Sequence, residues 1–247
     1  MADRKNPTKR PLADRSKAKP PVARQGSVDA FVEASRDHGG LPARTVTHRL
    51  IFALDATASR QPTWDLATEL HAALFDEAER LGNVAVQLCY YRGIGEFHAS
   101  RWAQTPADLR RAMLNVHCQG GRTQVTRLLG HAADEAARHP VKALIFIGDC
   151  FEENEADMLA TAGQLKLRGV PVLVFQEGHN RVAQRAFSAL ARLTDGACVP
   201  FDPASPAALR RLLSAAVSFA IGGRSALEDF SQRHKDGESR LLLSKLP

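Results

Sequence analysis

The stretch LIFALDATASRQ, residues 50–61, runs from apolar residues into Asp55 and then places hydroxyls at Thr57 and Ser59. Alternate residues of an extended segment point to the same side of the backbone, so one carboxylate and two hydroxyls can converge on one point. Three chemistries use such a set. A hard divalent cation such as Mg²⁺ takes about six oxygen ligands near 2.1 Å and commonly keeps some of its waters. A strand-end aspartate can instead act as a nucleophile. The same residues also suit a polar turn that leads into a helix.

The surrounding elements decide where these groups sit. RLIFALD (49–55), VAVQLCYY (84–91), EFHASRW (96–102), KALIFIGD (142–149), VPVLVFQ (170–176) and ACVPF (197–201) read as strands, short and apolar or alternating. Between them, helical patterns fall over 63–81, 105–116, 124–138, 154–168, 180–193 and 205–221. Thr63 is expected to cap the first helix, which leaves the hydroxyls of Thr57 and Ser59 free. R-G-I-G at 92–95 reads as the turn of a hairpin. Strands alternating with helices imply an α/β fold, a three-layer αβα arrangement with parallel pairing and right-handed crossovers. The hairpin supplies one antiparallel edge strand.

In such a sheet ligands bind at the carboxyl ends of the strands, near the switch in strand order. The two most apolar strands end at Asp55 and Asp149. Thr123 follows the flexible Gly120-Gly121 at a helix start, where it can add a further oxygen. Each residue alone is commonly structural. Together, in this order on this frame, Asp55, Thr57, Ser59, Thr123 and Asp149 are the candidate metal ligands.

Composition narrows the setting. The 247 residues are 44% hydrophobic, enough for a sizeable core. No apolar run approaches the roughly 20 residues that span a bilayer, and the N-terminal stretch lacks the apolar segment of a secretory signal. Cys89, Cys118, Cys150 and Cys198 are scattered without a C-x-x-C pair, which suits a reducing cytoplasm. The net charge of +6 lies in residues 1–24, where eight Lys and Arg face two Asp. The remaining chain holds 25 basic and 25 acidic residues. A basic, mostly disordered tail is therefore expected over 1–44, with a short helix over Val28–Arg36. It lacks interleaved aromatics, so nucleic acid is an unpromising partner beyond weak electrostatic contact. A single domain is expected over 45–222, closed by Gly222-Gly223. The segment 223–247 reads as a loosely attached polar tail.

D-A-T-A-S (55–59) resembles the D-x-S-x-S motif of the von Willebrand factor A (VWA) family. Gly120-Gly121-Arg122-Thr123 resembles that family's glycine-rich loop, and I-F-I-G-Asp149 the strand that delivers its last aspartate. The likeness in element order covers about residues 46–222. It implies a mainly parallel six-stranded, Rossmann-like sheet with a metal-ion-dependent adhesion site (MIDAS) holding Mg²⁺ or Mn²⁺. It also implies a protein-interaction module that is no enzyme and that captures an Asp or Glu carboxylate of a partner. The sequence departs from the pattern at Thr57 in place of Ser, at Arg122 before Thr123, and at Cys150 where Gly is common.

Two alternatives stand beside this. One is a VWA-like scaffold that has lost its metal. The other is a haloacid-dehalogenase-like phosphatase using Asp55, since Gly148-Asp149 and Glu153 approach that family's late G-D-x-x-x-D motif. Thr57 stands where such a phosphatase carries its second acid, the usual proton donor to the leaving group. Cys118 and Cys150 are expected on loops near the site, and Cys89 and Cys198 as small core residues within strands.

Overall fold

The computed structural model describes residues 48–247 apart from 115 and 203. The expectations for 1–44, including the helix over Val28–Arg36, and the domain start near Thr45 lie outside these residues. Strands β1 (His48–Asp55), β2 (Val84–Arg92), β3 (Glu96–Ala103), β4 (Ala143–Gly148), β5 (Val172–Glu177) and β6 (Ala197–Phe201) form one sheet in the order β3-β2-β1-β4-β5-β6. All pairings are parallel except that of β2 with β3. This is the expected architecture, a mainly parallel six-stranded sheet with one antiparallel edge strand. The chain moves outward from β1 to β2 and β3, then returns to the other side of β1 to lay down β4. That reversal leaves a crevice at the carboxyl ends of β1 and β4.

Alternation along β1 shows why the sheet is buried on both faces. Leu50, Phe52 and Leu54 belong to one apolar core, with Trp64, Leu74, Leu213 and Val217 from the helices on that side. Ile51 and Ala53 belong to the other, with Leu128, Leu129, Met158, Leu165 and Phe187. Helices α5 (Val125–Arg138), α6 (Glu155–Leu167) and α7 (Arg181–Leu193) cover this second face, after α4 (Pro106–Met113) has crossed from β3. Thr105 caps α4, Asn154 caps α6 and Asn180 caps α7, each accepting from backbone N–H groups of the first turn. Among the described residues no helix is long and apolar enough to cross a membrane.

Two expectations change. The segment after Asp55 does not become one long helix capped by Thr63. A 3-10 turn (Ala58–Arg60) leads into α1 (Gln61–Leu70), followed by the short pieces α2 (Ala73–Asp76) and α3 (Ala78–Leu81). Pro62 lies in the first turn of α1, where its missing N–H costs nothing, so the helix begins before Thr63. The Thr63 hydroxyl is buried and donates to Glu177 instead.

The second change is at the C-terminus. The helix begun at Pro206 does break at Gly223, as expected, but a second helical stretch follows directly rather than a loose tail. α8 runs over Pro206–His234 with Gly223 alone in a non-helical conformation (φ 70°, ψ −163°), and α9 (Gly237–Lys245) follows. Leu227, Phe230, Leu242 and Leu246 are buried, all in the core on the Leu50 face of β1. The segment is polar on average, but these few apolar residues are spaced to face the core, which average polarity conceals. Cys198 also differs from expectation, being partly exposed on edge strand β6, whereas Cys89 is buried.

Replacing Phe230, 2% exposed, by Ala should lower stability by about 3–5 kcal/mol in urea denaturation. A loosely attached tail would leave the midpoint unchanged.

Candidate functional site

At the crevice between the ends of β1 and β4 lies a cleft of about 300 Å³. Asp55, Thr57, Ser59, Thr123 and Asp149 all line it, together with Gly120, Gly121, Cys150 and Glu152. The five residues singled out in the sequence therefore meet in one place, although 94 positions separate the first from the last.

Each is set by its element. Asp55 is the last residue of β1 and only 2% exposed. Its Oδ1 accepts from the Thr57 N–H at 2.8 Å, and its Oδ2 from the hydroxyl of buried Tyr91 at 3.2 Å. Tyr91 is the register partner of Asp55 on β2, so the phenol is delivered by strand pairing. The glycine-rich loop is tied to both neighbouring turns. Gln119 N–H donates to Ala56 C=O (2.9 Å), Gly93 N–H to Gln119 C=O (3.3 Å), and Arg122 N–H to Gly93 C=O (3.2 Å). A Cβ on Gly121 would stand 2.0 Å from the Gly93 carbonyl oxygen, so no other residue fits there.

Thr123 is 6% exposed, and its Oγ1 accepts from the Glu152 N–H at 3.0 Å. The neighbouring Glu153 carboxylate receives the Val125 and Thr126 N–H groups, capping the start of α5. The acid that gave the sequence its phosphatase-like motif is thus committed to a helix end.

Asp149 caps nothing; Asn154 performs that task for α6. Asp149 Oδ2 pairs with Arg60 at 3.2 Å, and its Oδ1 is buried without a hydrogen-bond partner. An orphaned carboxylate oxygen is costly in a protein interior and marks a place where a cation or donor belongs.

Arg60 is the functional residue that the sequence reading missed. It follows Ser59 directly, is 9% exposed, forms ion pairs with Asp149 and Glu177, and reaches Ser59 Oγ through Nε (3.4 Å). Glu177 is 8% exposed and is the last residue of β5. The rule that singled out Asp55 and Asp149, an acid at the carboxyl end of an apolar strand, applies to Glu177 as well. Nothing in the sequence marks Arg60 as buried.

The electrostatics follow from burial. Loss of hydration pushes the Asp55 carboxyl up to about 6, and the nearby Asp149 charge adds to this, while the hydrogen bonds from Thr57 and Tyr91 oppose it. Burial also pushes the Cys118 thiol up to about 11 and raises that of Cys150. Both therefore stay protonated near neutral pH, which disfavours a nucleophilic or thiolate role.

Two carboxylates and three hydroxyls form an all-oxygen set suited to a hard cation. Among the described residues no group of three or more His, Cys, Asp or Glu is placed to hold a metal ion. A cation here would depend on the hydroxyls for most of its protein ligands. The donor types and the unpartnered Asp149 Oδ1 fit such an ion.

No protein-family model matches the sequence, and no curated protein matches it. Solved structures do resemble it. A von Willebrand factor type A protein from Catenulispora acidiphila is 16% identical with a TM-score of 0.56, over 70% of this chain and 43% of that one. The SpRpn10 VWA domain is 14% identical with a TM-score of 0.53, over 70% of this chain and 95% of that one. Proximal thread matrix protein 1 from the mussel byssus, solved with a zinc-occupied MIDAS motif, is 16% identical with a TM-score of 0.55 over 71% and 48%. At such identities the likeness shows the fold: the chain has the VWA fold. It spans less than half the length of the first of these proteins.

The raised carboxyl of Asp55 has a sign that can be tested without metal. Its ionised form is disfavoured in the folded state, so this group's contribution to stability falls as pH rises from 3.8 through about 6. In chelator, Asp55→Asn should be more stable than the parent at pH 7.5 by on the order of 2–3 kcal/mol. The gap should close at pH 4. Denaturant titrations at both pH values measure it, and an equal gap at both would refute the assignment.

Proposed function

We propose that this chain is a VWA-type protein-interaction module that captures an Asp or Glu carboxylate of a partner through a divalent cation, Mg²⁺ or Mn²⁺. Asp55, Thr57, Ser59, Thr123 and Asp149 hold the ion, directly or through water. The observation that carries this reading is the meeting of these five side chains in one cleft, with Asp149 Oδ1 buried and unpartnered. The zinc-occupied motif of the byssus protein gives a precedent for a divalent ion on this fold.

Bound there, a cation with mostly hydroxyl ligands stays incompletely neutralised and so attracts a further carboxylate. The chain's own residues do the rest. Tyr91 and the Thr57 N–H hold Asp55 in one orientation. The contact between Gly93 and Gly121 fixes the loop that carries Thr123.

The rim of the cleft suits an acidic partner. Arg122 is exposed beside Thr123. Ile94, 95% exposed at the hairpin tip, offers apolar surface next to it. The module works in the cytoplasm, consistent with unpaired cysteines and the absence of a membrane-crossing helix among the described residues. It binds and does not turn over a substrate. Thr57 stands in place of the second acid that the phosphatase alternative needs, and Glu153, the last acid of its late motif, is committed to capping α5.

Calorimetric titration with Mg²⁺ and Mn²⁺ should show a saturable site that is lost, or weakened about a hundredfold, in Asp55→Ala. Incubation with p-nitrophenyl phosphate should release no product above background. Turnover abolished by Asp55→Ala would replace this function with phosphoester hydrolysis.

A further inference from the structure

We infer that Arg60, which lines an adjoining pocket with Asp149 and Glu177, is a resident cation beside the cleft that sets a low affinity for the divalent metal, an inference that rests on the metal-binding reading above. The guanidinium lies against a proposed ligand, Asp149, at 3.2 Å, and its Nε reaches a second, Ser59, at 3.4 Å. It is 9% exposed, so water screens its charge poorly.

Its placement is also fixed. The Ala58–Arg60 turn closes with the Arg60 N–H on the Thr57 carbonyl at 2.9 Å. Glu177 anchors the far side of the guanidinium, and Thr63 on α1 anchors Glu177 in turn. Asp149 is therefore shared: Oδ2 belongs to Arg60, while Oδ1 has no partner. An ion placed in the cleft gains a carboxylate whose charge is already partly spent, and it feels repulsion from the guanidinium.

Arg122, the basic residue that the sequence placed next to Thr123, differs in kind. It is exposed, and no ion pair holds it among the described residues. Water and salt screen such a charge. Of the two arginines beside the candidate ligands, the buried one controls affinity.

Arg60 and its partner Glu177 give substitutions of opposite sign. Arg60→Met removes the competing charge and frees both oxygens of Asp149, so Mn²⁺ should bind at least tenfold more tightly. Glu177→Gln keeps a side chain of the same shape and leaves the Arg60 charge compensated by Asp149 alone, so Mn²⁺ should bind several-fold more weakly. Arg60→Lys, which retains the charge, should stay near the parent, and Arg122→Met should change affinity less than threefold.

Dissociation constants come from free-Mn²⁺ electron paramagnetic resonance on the full chain, with circular dichroism confirming the fold of each variant. Should Arg60→Met fail to fold, the direction of the Glu177→Gln change decides. Equal affinities across parent, Arg60→Met and Glu177→Gln overturn the inference and leave the metal site standing. No Mn²⁺ binding by any of them overturns the metal reading and this inference with it.

Discussion

Three neighbouring strands of the sheet lead into acids at their carboxyl ends: Asp55 from β1, Asp149 just past β4, and Glu177 from β5. Burying one unpaired carboxylate is expensive, and crowding three together at one edge raises the cost further. Much of the local architecture answers that single constraint. Tyr91 and the Thr57 N–H address Asp55, and Thr63 addresses Glu177. Arg60 bridges Asp149 and Glu177. What remains uncompensated lies toward the cleft, in the ionised form of Asp55 and the unpartnered oxygen of Asp149. The uncompensated negative charge beside the cleft is thus a property of the sheet edge as a whole rather than of any one acid.

The sheet sustains this tension because the strands that deliver the acids are among the best packed in the molecule. Residues 50–54 of β1 and 143–147 of β4 are essentially inaccessible to solvent, and both strands contribute to the cores on the two faces. Strain at their ends cannot be relieved by shifting them, since a one-residue slip would turn every apolar side chain toward the wrong face. The cost of burying the acids is carried by the two cores, and the side chains around the crevice are where adjustment remains.

Much of this was legible in the sequence. Apolar runs ending on acids placed Asp55 and Asp149, and the alternation of strands with helices placed both at one edge. The glycines at 120–121 read as a flexible lead into Thr123, whereas the Gly93 carbonyl shows that Gly121 is required by a close backbone approach. What escaped were features that depend on long-range partners. Thr63 looked like a helix cap because local sequence rewards caps, yet its hydroxyl bonds Glu177, 114 residues away. Nothing in the local sequence marks Arg60, which is buried by its pairing with acids at the ends of β4 and β5. Gly222-Gly223 carried a stop signal that holds at Gly223, but the helix beyond it, with Leu227 and Phe230 buried, depends on tertiary packing.

The brace between the hairpin and the glycine-rich loop reaches further than the cleft. Gly93 exchanges backbone hydrogen bonds with Gln119 and Arg122. The next residue, Ile94, stands 95% exposed and so has almost no packing to lose. A fluorophore or spin label attached there would report on the loop carrying Thr123 without altering a single side chain of the cleft. The hairpin is, in effect, a lever arm that brings events at the sheet edge out to where an optical or magnetic probe can read them.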